Sequence, residues 1–132
     1  MDLEILRIAS DTKNNRDLNP HTHFSESKNP ICGDVMKIKL VVKANKISDF
    51  AYQGKSCVYC QATASLLSIT SINKDFKKIN EMCIAANSFF NSEDETFIEK
   101  WSLFNKIFHK RNLSRKECIL LPFKTLQKIV SE

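Results

Sequence analysis

The sequence predicts an α+β fold: a small antiparallel β-sheet of two to three strands, followed by and packed against four to five helices. Three observations predict it. Two runs of alternating polarity flank the short turn "ANK", as the arms of a hairpin do. Beyond Gly54 the apolar spacing lengthens to a helical period and no further alternating run follows. Strands first and helices after is the α+β order. With 132 residues and 42% hydrophobic content, the chain reads as a single domain, 1–132, able to bury a sizeable core.

The elements follow in order. Leu3 to Ala9 is apolar at Leu3, Leu6 and Ile8 and reads as a short helix. "SDTKNNRDLNPHTH" carries Asn-Asn and Asn-Pro breakers and reads as a loop, and "HTHFSES" as a short edge strand. "VMKIKLVVK", from Val35, sets Met36, Ile38, Leu40 and Val42 on one face and Lys37 and Lys39 on the other, a half-buried strand. "ISDFAYQG" alternates Ile47 and Asp49 against Ser48, Phe50 and Tyr52. A helix starts near Cys57 in "CVYCQATASLLSITSI", and "KDFKKINEMCIAANSFF" is amphipathic. Ser92 with Glu95 forms a capping box that leads into a helix over "TFIEKWSLFNKIFHK". Phe97, Trp101, Phe104 and Phe108 make a helical stripe there, which reads as core. The last helix lies in "SRKECILLPFKTLQKIV", with Ser114 and Glu117 at capping spacing. Pro122 inside that pattern puts Cys118 on the turn feeding the helix.

Composition excludes several classes. The apolar runs "CILL" and "IKLVV" fall far short of the roughly 18–20 residues a bilayer crossing needs, so no membrane partner is expected. The start "MDLEILRIAS" is acidic at once and lacks a cleavable apolar region, which argues against a secretory signal and for a cytoplasmic protein. Five cysteines, an odd number, in a reducing compartment point to metal or thiol chemistry rather than a disulfide framework. Much of the net charge of +5 lies between Lys106 and Lys116. That run lacks exposed stacking aromatics, which argues against nucleic acid; it suits a solvated helix face or an acidic protein partner.

Cys32 and Asp34 precede a strand, Cys57 opens a helix, and Cys118 sits at the entry to the last helix. All are junctions, where a scaffold presents side chains from loops. The chain's only two glycines, Gly33 and Gly54, lie beside two of these junctions. A hairpin makes the start of one strand and the end of the next neighbours, so the sheet itself brings Cys32–Asp34 to Cys57. Three thiolates and a carboxylate are a four-coordinate set suited to zinc, and thiolates equally hold iron–sulfur clusters. A carboxylate is harder and more easily displaced than a fourth thiolate, which makes a site able to exchange its contents.

"NPICGDVMKIKLVV", "GKSCVYCQATASLLS" and "RKECILLPFKTL" together resemble the U-type iron–sulfur assembly scaffolds: IscU, SufU and the N-terminal domain of NifU. The shared pattern is N-P-x-C-G-D, then C-x-x-x-x-A-x-A-S, then a third cysteine leading a helix. The last motif is similar to the SufU branch, with Phe123 at its Trp position and Arg115 three residues before Cys118. The IscU branch has His where this chain has Glu117. An extra helix's worth of sequence separates Cys57 from Cys118 relative to the IscU type. The resemblance implies a zinc site of Cys32, Asp34, Cys57 and Cys118 that receives sulfur from a cysteine desulfurase of the SufS or IscS kind. Cys32 would be the persulfide acceptor. IscU-like proteins instead build a [2Fe–2S] cluster on these residues and pass it to downstream acceptor proteins. The family's N-terminal H-x-x-N-P-R-N is reduced here, with Asp11 at the His position and Asn15 at the Pro position.

Other readings stand beside this one. Cys57 and Cys60 form a C-x-x-C that suits a thiol redox pair, or else Cys60 is a buried helix cysteine, a spare ligand or an oxidation-prone neighbour. A structural zinc protein that binds a partner through its basic helix is the remaining alternative. Arg115 either tunes the site or pairs with Asp34, or is a surface charge. Cys83 reads as core, His21 and His23 as solvent-facing, and His109 as part of the basic patch. Whether the chain is an enzyme is left open, because an acceptor or scaffold is not one in the ordinary sense.

Overall fold

The computed structural model describes residues 2–91 and 95–131. Helix α1, Leu3–Ala9, opens on Asp2, whose side chain accepts the Glu4 N–H at 2.9 Å. Three strands follow: β1 His23–Lys28, β2 Val35–Lys43 and β3 Lys46–Gln53. They form one antiparallel sheet in the order β1-β2-β3, with Ser25 opposite Ile38 and Leu40 opposite Phe50. Helices α2 Val58–Thr70, α3 Phe76–Phe89, α4 Thr96–Lys100 and α5 Lys116–Val130 come after. The expected α+β architecture is what the chain adopts. Helix α5 lies on β1 and β2 and is flanked by α2 and α3, while α1 packs on α2. The core between these layers includes Met36, Ile38, Leu40, Phe50, Tyr52, Leu67, Ile119, Phe123 and Leu126.

The N-terminal loop is pinned to the free edge of β3. Tyr52 donates its N–H to Asn14 O at 3.0 Å and accepts from Arg16 N–H at 3.1 Å, so part of that edge is covered rather than open.

Three local expectations need correction. Strand β3 does not alternate as Ile47 and Asp49 against Phe50 and Tyr52. Ala44 and Asn45 take left-handed φ of 50° and 68° in a two-residue turn, and a bulge then shifts the register between Val41 and Val42. Ser48 is the extra residue; its hydroxyl donates to Val41 O at 3.1 Å. The shift turns Ile47, Phe50 and Tyr52 all into the core.

The helix expected over "TFIEKWSLFNKIFHK" is broken. Helix α4 ends at Lys100, and two 3₁₀ turns, Ser102–Phe104 and Lys110–Arg115, replace its continuation. In one straight helix Phe97 and Phe108 would stand about 16 Å apart along the axis. Folding back brings their ring centroids to 4.4 Å, beside Phe104 and Phe123. The aromatic stripe is core, as expected, but through convergence rather than helical spacing. The Ser92–Glu95 capping box lies partly outside the described residues. The basic segment is likewise not one helix.

Cys118 is not on a turn feeding α5 but in its first turn, and Pro122 lies inside the helix. Proline there removes only the bond to the Cys118 carbonyl. Burial of Ile119, Leu121, Phe123 and Leu126 along the helix outweighs that loss.

Candidate metal centre

The segment Asn29–Asp34 is built to point neighbouring side chains in different directions. Asn29 is buried, and its Oδ1 accepts the Ile31 N–H at 2.9 Å. Its carbonyl accepts from Gly33 N–H and its own N–H donates to Asp34 O, both at 2.8 Å. Gly33 sits at φ +77°, the left-handed region where a side chain is disfavoured. The resulting tight loop holds Cys32 exposed at its tip and turns Asp34 inward.

The next junction is packed against it. A Cβ on Gly54 would lie 2.0 Å from Val35 O, so only glycine lets the end of β3 press on the start of β2. Val35 N–H then donates to Lys55 O at 2.8 Å. Cys57 follows as the N-cap of α2, and its backbone N–H donates to Asp34 Oδ2 at 3.3 Å. From the other side the first turn of α5 delivers Cys118, which is buried.

The Sγ atoms of Cys32 and Cys118 and a carboxylate oxygen of Asp34 all lie within 4.8 Å of one another. Cys57 is outside that three-atom group but touches it through its N–H on Asp34. Burial first, then the neighbouring Cys57 thiol, then the charges of Cys32 and Asp34 hold the Cys118 thiol well above the usual range. Acidic groups so placed repel one another once ionised, and a cation among them relieves the repulsion. Three thiols and a carboxylate are the donors that zinc or an iron–sulfur cluster takes. A tetrahedron with bonds of about 2.3 Å has edges of about 3.8 Å, on the scale of the 4.8 Å that bounds the three ligand atoms.

The remaining candidates fall elsewhere. Cys60 is fully buried, and burial pushes its thiol up to about 12, with smaller upward contributions from Cys57, Asp34 and Cys32 and a downward one from a hydrogen bond to Ser56. Arg115 is exposed with its guanidinium over the Tyr59 ring at 5.4 Å, and no ion pair joins it to Asp34 among the described residues. Cys83 is core. His21 is exposed and bonded to Asn19, His23 packs edge-on against Phe76 with centroids 5.3 Å apart, and His109 Nδ1 accepts from Arg111 N–H. The basic run is partly tied down, with Arg111 paired to Asp2 at 3.0 Å and Lys110 Nζ donating to Phe89 O at 2.8 Å. Asn29 holds the site's framework, a role the sequence reading did not assign; the signal for it was its place before Pro30 in the Cys-Gly-Asp stretch.

Among the described residues no helix is long and apolar enough to cross a membrane. Residues 3–88 match the NifU-like N-terminal domain family. That span holds Cys32, Asp34 and Cys57; Cys118 lies beyond it and joins the group through the fold. The iron–sulfur cluster assembly scaffold protein IscU of Thermotoga maritima is 29% identical over 130 residues, 97% of this chain and 90% of that protein. Two crystal structures share the fold. One is FiSufU, the proposed iron–sulfur cluster assembly scaffold protein for the SUF system of Fervidobacterium islandicum, with TM-score 0.86, 24% identity, and 98% and 96% of the two chains covered. The other is the N-terminal part of a NifU-like protein from Brucella abortus, with TM-score 0.82, 16% identity, and 98% and 91% covered.

Proposed function

This chain belongs to the NifU-like N-terminal domain family, and from that premise we propose that it is an iron–sulfur cluster assembly protein. In this reading Cys32 accepts sulfur from a cysteine desulfurase, and Cys32, Asp34, Cys57 and Cys118 are the ligand set that holds zinc or a nascent [2Fe–2S] cluster. The observation that carries it is the convergence of Cys32, Asp34 and Cys118 within 4.8 Å, from two distant segments, with the Cys57 N–H bonded to Asp34. A Thermotoga relative named as a cluster assembly scaffold supports the scaffold half of the reading.

Each residue has a task that its surroundings suit. Zinc, where these four residues bind it, would hold their thiols as thiolates at neutral pH. Cys32 is exposed at a loop tip, within reach of a partner's persulfide. Its thiolate attacks the outer persulfide sulfur; a new S–S bond forms on Cys32 as the donor's S–S bond breaks, and the donor cysteine leaves as a thiolate. Cys118 is buried and Cys57 half-buried, which suits ligands that stay in place. Asp34, the hard donor, is the ligand most readily exchanged for cargo. Partners are then the desulfurase and downstream acceptor proteins, with the exposed Lys106 and Arg115 offering positive charge to an acidic surface.

Anaerobic metal analysis with a visible spectrum, on wild type and Cys57→Ala, tests the proposal. About one zinc per chain and no colour, lost in the variant, supports sulfur transfer. Iron, labile sulfide and a cluster spectrum support the scaffold role. No metal in either protein, with a reducible Cys57–Cys60 disulfide, overturns both.

A further inference from the structure

The two edges of the sheet are treated differently. The chain's own N-terminal loop lies on the edge of β3, whereas among the described residues no strand covers the outer edge of β1. Asn29, next after β1, turns its N–H inward to Asp34 O, so alternation sends the main-chain groups of Phe24, Glu26 and Lys28 outward. Lys128 of α5 reaches into that row, donating to the carbonyl of Glu26 and, at 3.0 Å, to Ser27 Oγ. A cleft of about 350 Å³ opens at the edge, lined by His23, Phe24, Ser25, Glu26, Lys128 and Ile129. Lys28 and Lys128 are exposed, and among the described residues no carboxylate pairs with either; Lys37, 3.8 Å from the Glu26 carboxylate, offsets its charge. The edge is therefore positively charged. Its Lys28 end leads through Asn29 to the loop whose tip carries Ile31, 84% exposed, and Cys32.

We propose that the outer edge of β1 is a docking strand for an acidic, extended segment of a partner protein, which pairs with Phe24, Glu26 and Lys28 and displaces Lys128 from the Glu26 carbonyl. A backbone N–H of the segment takes the lysine's place at that carbonyl, and a carboxylate of the segment receives the released ammonium. Until then the lysine satisfies the open acceptor and repels positively charged strands, which keeps the edge from pairing indiscriminately. A second copy of the chain is a poor occupant. The antiparallel self-pairing that uses all three outward residues sets Glu26 opposite Glu26 and brings the two Lys128 ammoniums together at the dyad, and like charges so placed repel. An acidic segment with a carboxylate facing Lys128 meets neither obstacle. The docking itself needs no metal. Its use rests on the assembly reading above: a segment laid along β1 reaches the loop that carries Cys32, so a partner exchanging sulfur or cluster there is held by its backbone, with Ile31 as an apolar contact at the tip.

Residue-resolved amide exchange by NMR tests this on the full chain, titrated with a capped peptide of about six alternating glutamate and valine residues. In the free protein the amides of Phe24, Glu26 and Lys28 should exchange quickly and those of Ser25 and Ser27 slowly. The peptide should slow the first three. The same peptide with lysine for glutamate should bind at least about tenfold more weakly, and Lys128→Glu, its fold checked by circular dichroism, should reverse that preference. N-methylation of the peptide amides that face β1 should abolish binding, which attraction between charges alone would survive. Unslowed exchange at Phe24, Glu26 and Lys28 through the millimolar range of peptide overturns the proposal, as does an unchanged preference in Lys128→Glu. A dimer in sedimentation of the peptide-free protein, with those three amides already protected, assigns the edge to a second copy and overturns it too. Docking by a preparation that binds neither zinc nor cluster supports the edge and counts only against the assembly reading.

Discussion

The backbone N–H of Cys57 donates to Oδ2 of Asp34 across 3.3 Å, tying the first turn of α2 to the start of β2. The Cys57 side chain makes no capping bond of its own, so Asp34 serves as the cap from 23 residues away and leaves the Cys57 thiol free.

That relationship separates two substitutions. Asp34→Asn keeps an oxygen acceptor and should leave the stability of the metal-free protein within about 0.5 kcal/mol of wild type. Asp34→Ala removes the acceptor and should cost about 1 kcal/mol. Both should weaken zinc binding, since neither offers a carboxylate. Urea unfolding in chelator, with a separate zinc competition, measures the two effects. A loss in Asp34→Asn as large as in Asp34→Ala would mean that charge at the helix N-terminus matters and the bond does not.

The two glycines should fail differently. Gly33 has a left-handed φ but open space around its Cα, so Gly33→Ala carries only conformational strain, about 1–2 kcal/mol. Gly54→Ala sets a methyl 2.0 Å from Val35 O, and backbone must move to admit it. About 2–4 kcal/mol is expected, with zinc affinity falling too because Val35 adjoins Asp34. Thermal unfolding of both variants decides the matter; equal losses would remove the close approach from the account.

What sequence revealed tracks how local its causes are. Strand β2 was legible to its end residues because Met36, Ile38 and Leu40 alternate with lysines over one buried face. The Cys32–Asp34 and Cys57 junctions were legible because a hairpin alone makes them neighbours. The β3 bulge was not, since the inward turn of both Ile47 and Phe50 depends on how Val41 and Val42 pair across the sheet. The break after α4 was hidden for a similar reason. Phe97, Phe104 and Phe108 have helical spacing, and only their meeting with Phe123 on α5 favours folding back. Pro122 misdirected the reading of Cys118 because a single lost hydrogen bond weighs less than the apolar side of α5.

Alkaline pH should destabilise the protein through Cys83. Burial raises this thiol from 9.0 to about 12, while in the unfolded chain it ionises at its ordinary value. The stability gained by keeping it neutral is therefore fully present below about pH 9 and lost between about 9 and 12, at up to about 1.4 kcal/mol per pH unit. Cys83→Ala should be about 1 kcal/mol less stable at neutral pH from lost packing. That gap should narrow or reverse at about pH 10.5, where the variant no longer bears the cost. Urea midpoints at the two pH values, with reductant and chelator, test it; parallel losses would refute the assignment.

Phe108 is the residue on which the C-terminal half should depend most. Its ring meets Phe89, Phe90, Phe97, Phe104 and Phe123 at centroid distances of 5.4, 5.6, 4.4, 5.8 and 5.6 Å, and it is fully buried. Phe108→Ala should cost about 3–5 kcal/mol, the range for an aromatic cavity in a core. Phe108→Leu, which keeps much of the volume, should cost less. The effect should reach the centre, because Phe123 lies on the helix that positions Cys118 and loses a packing partner. Zinc affinity should then fall in Phe108→Ala although no ligand is changed. Leu113→Ala, an exposed neighbour in the same segment, should alter neither quantity by more than about 0.5 kcal/mol. Thermal unfolding and zinc competition on the three variants check this. A wild-type midpoint for Phe108→Ala would show that the ring cluster does not hold α5 in place, and that the break after α4 has another cause.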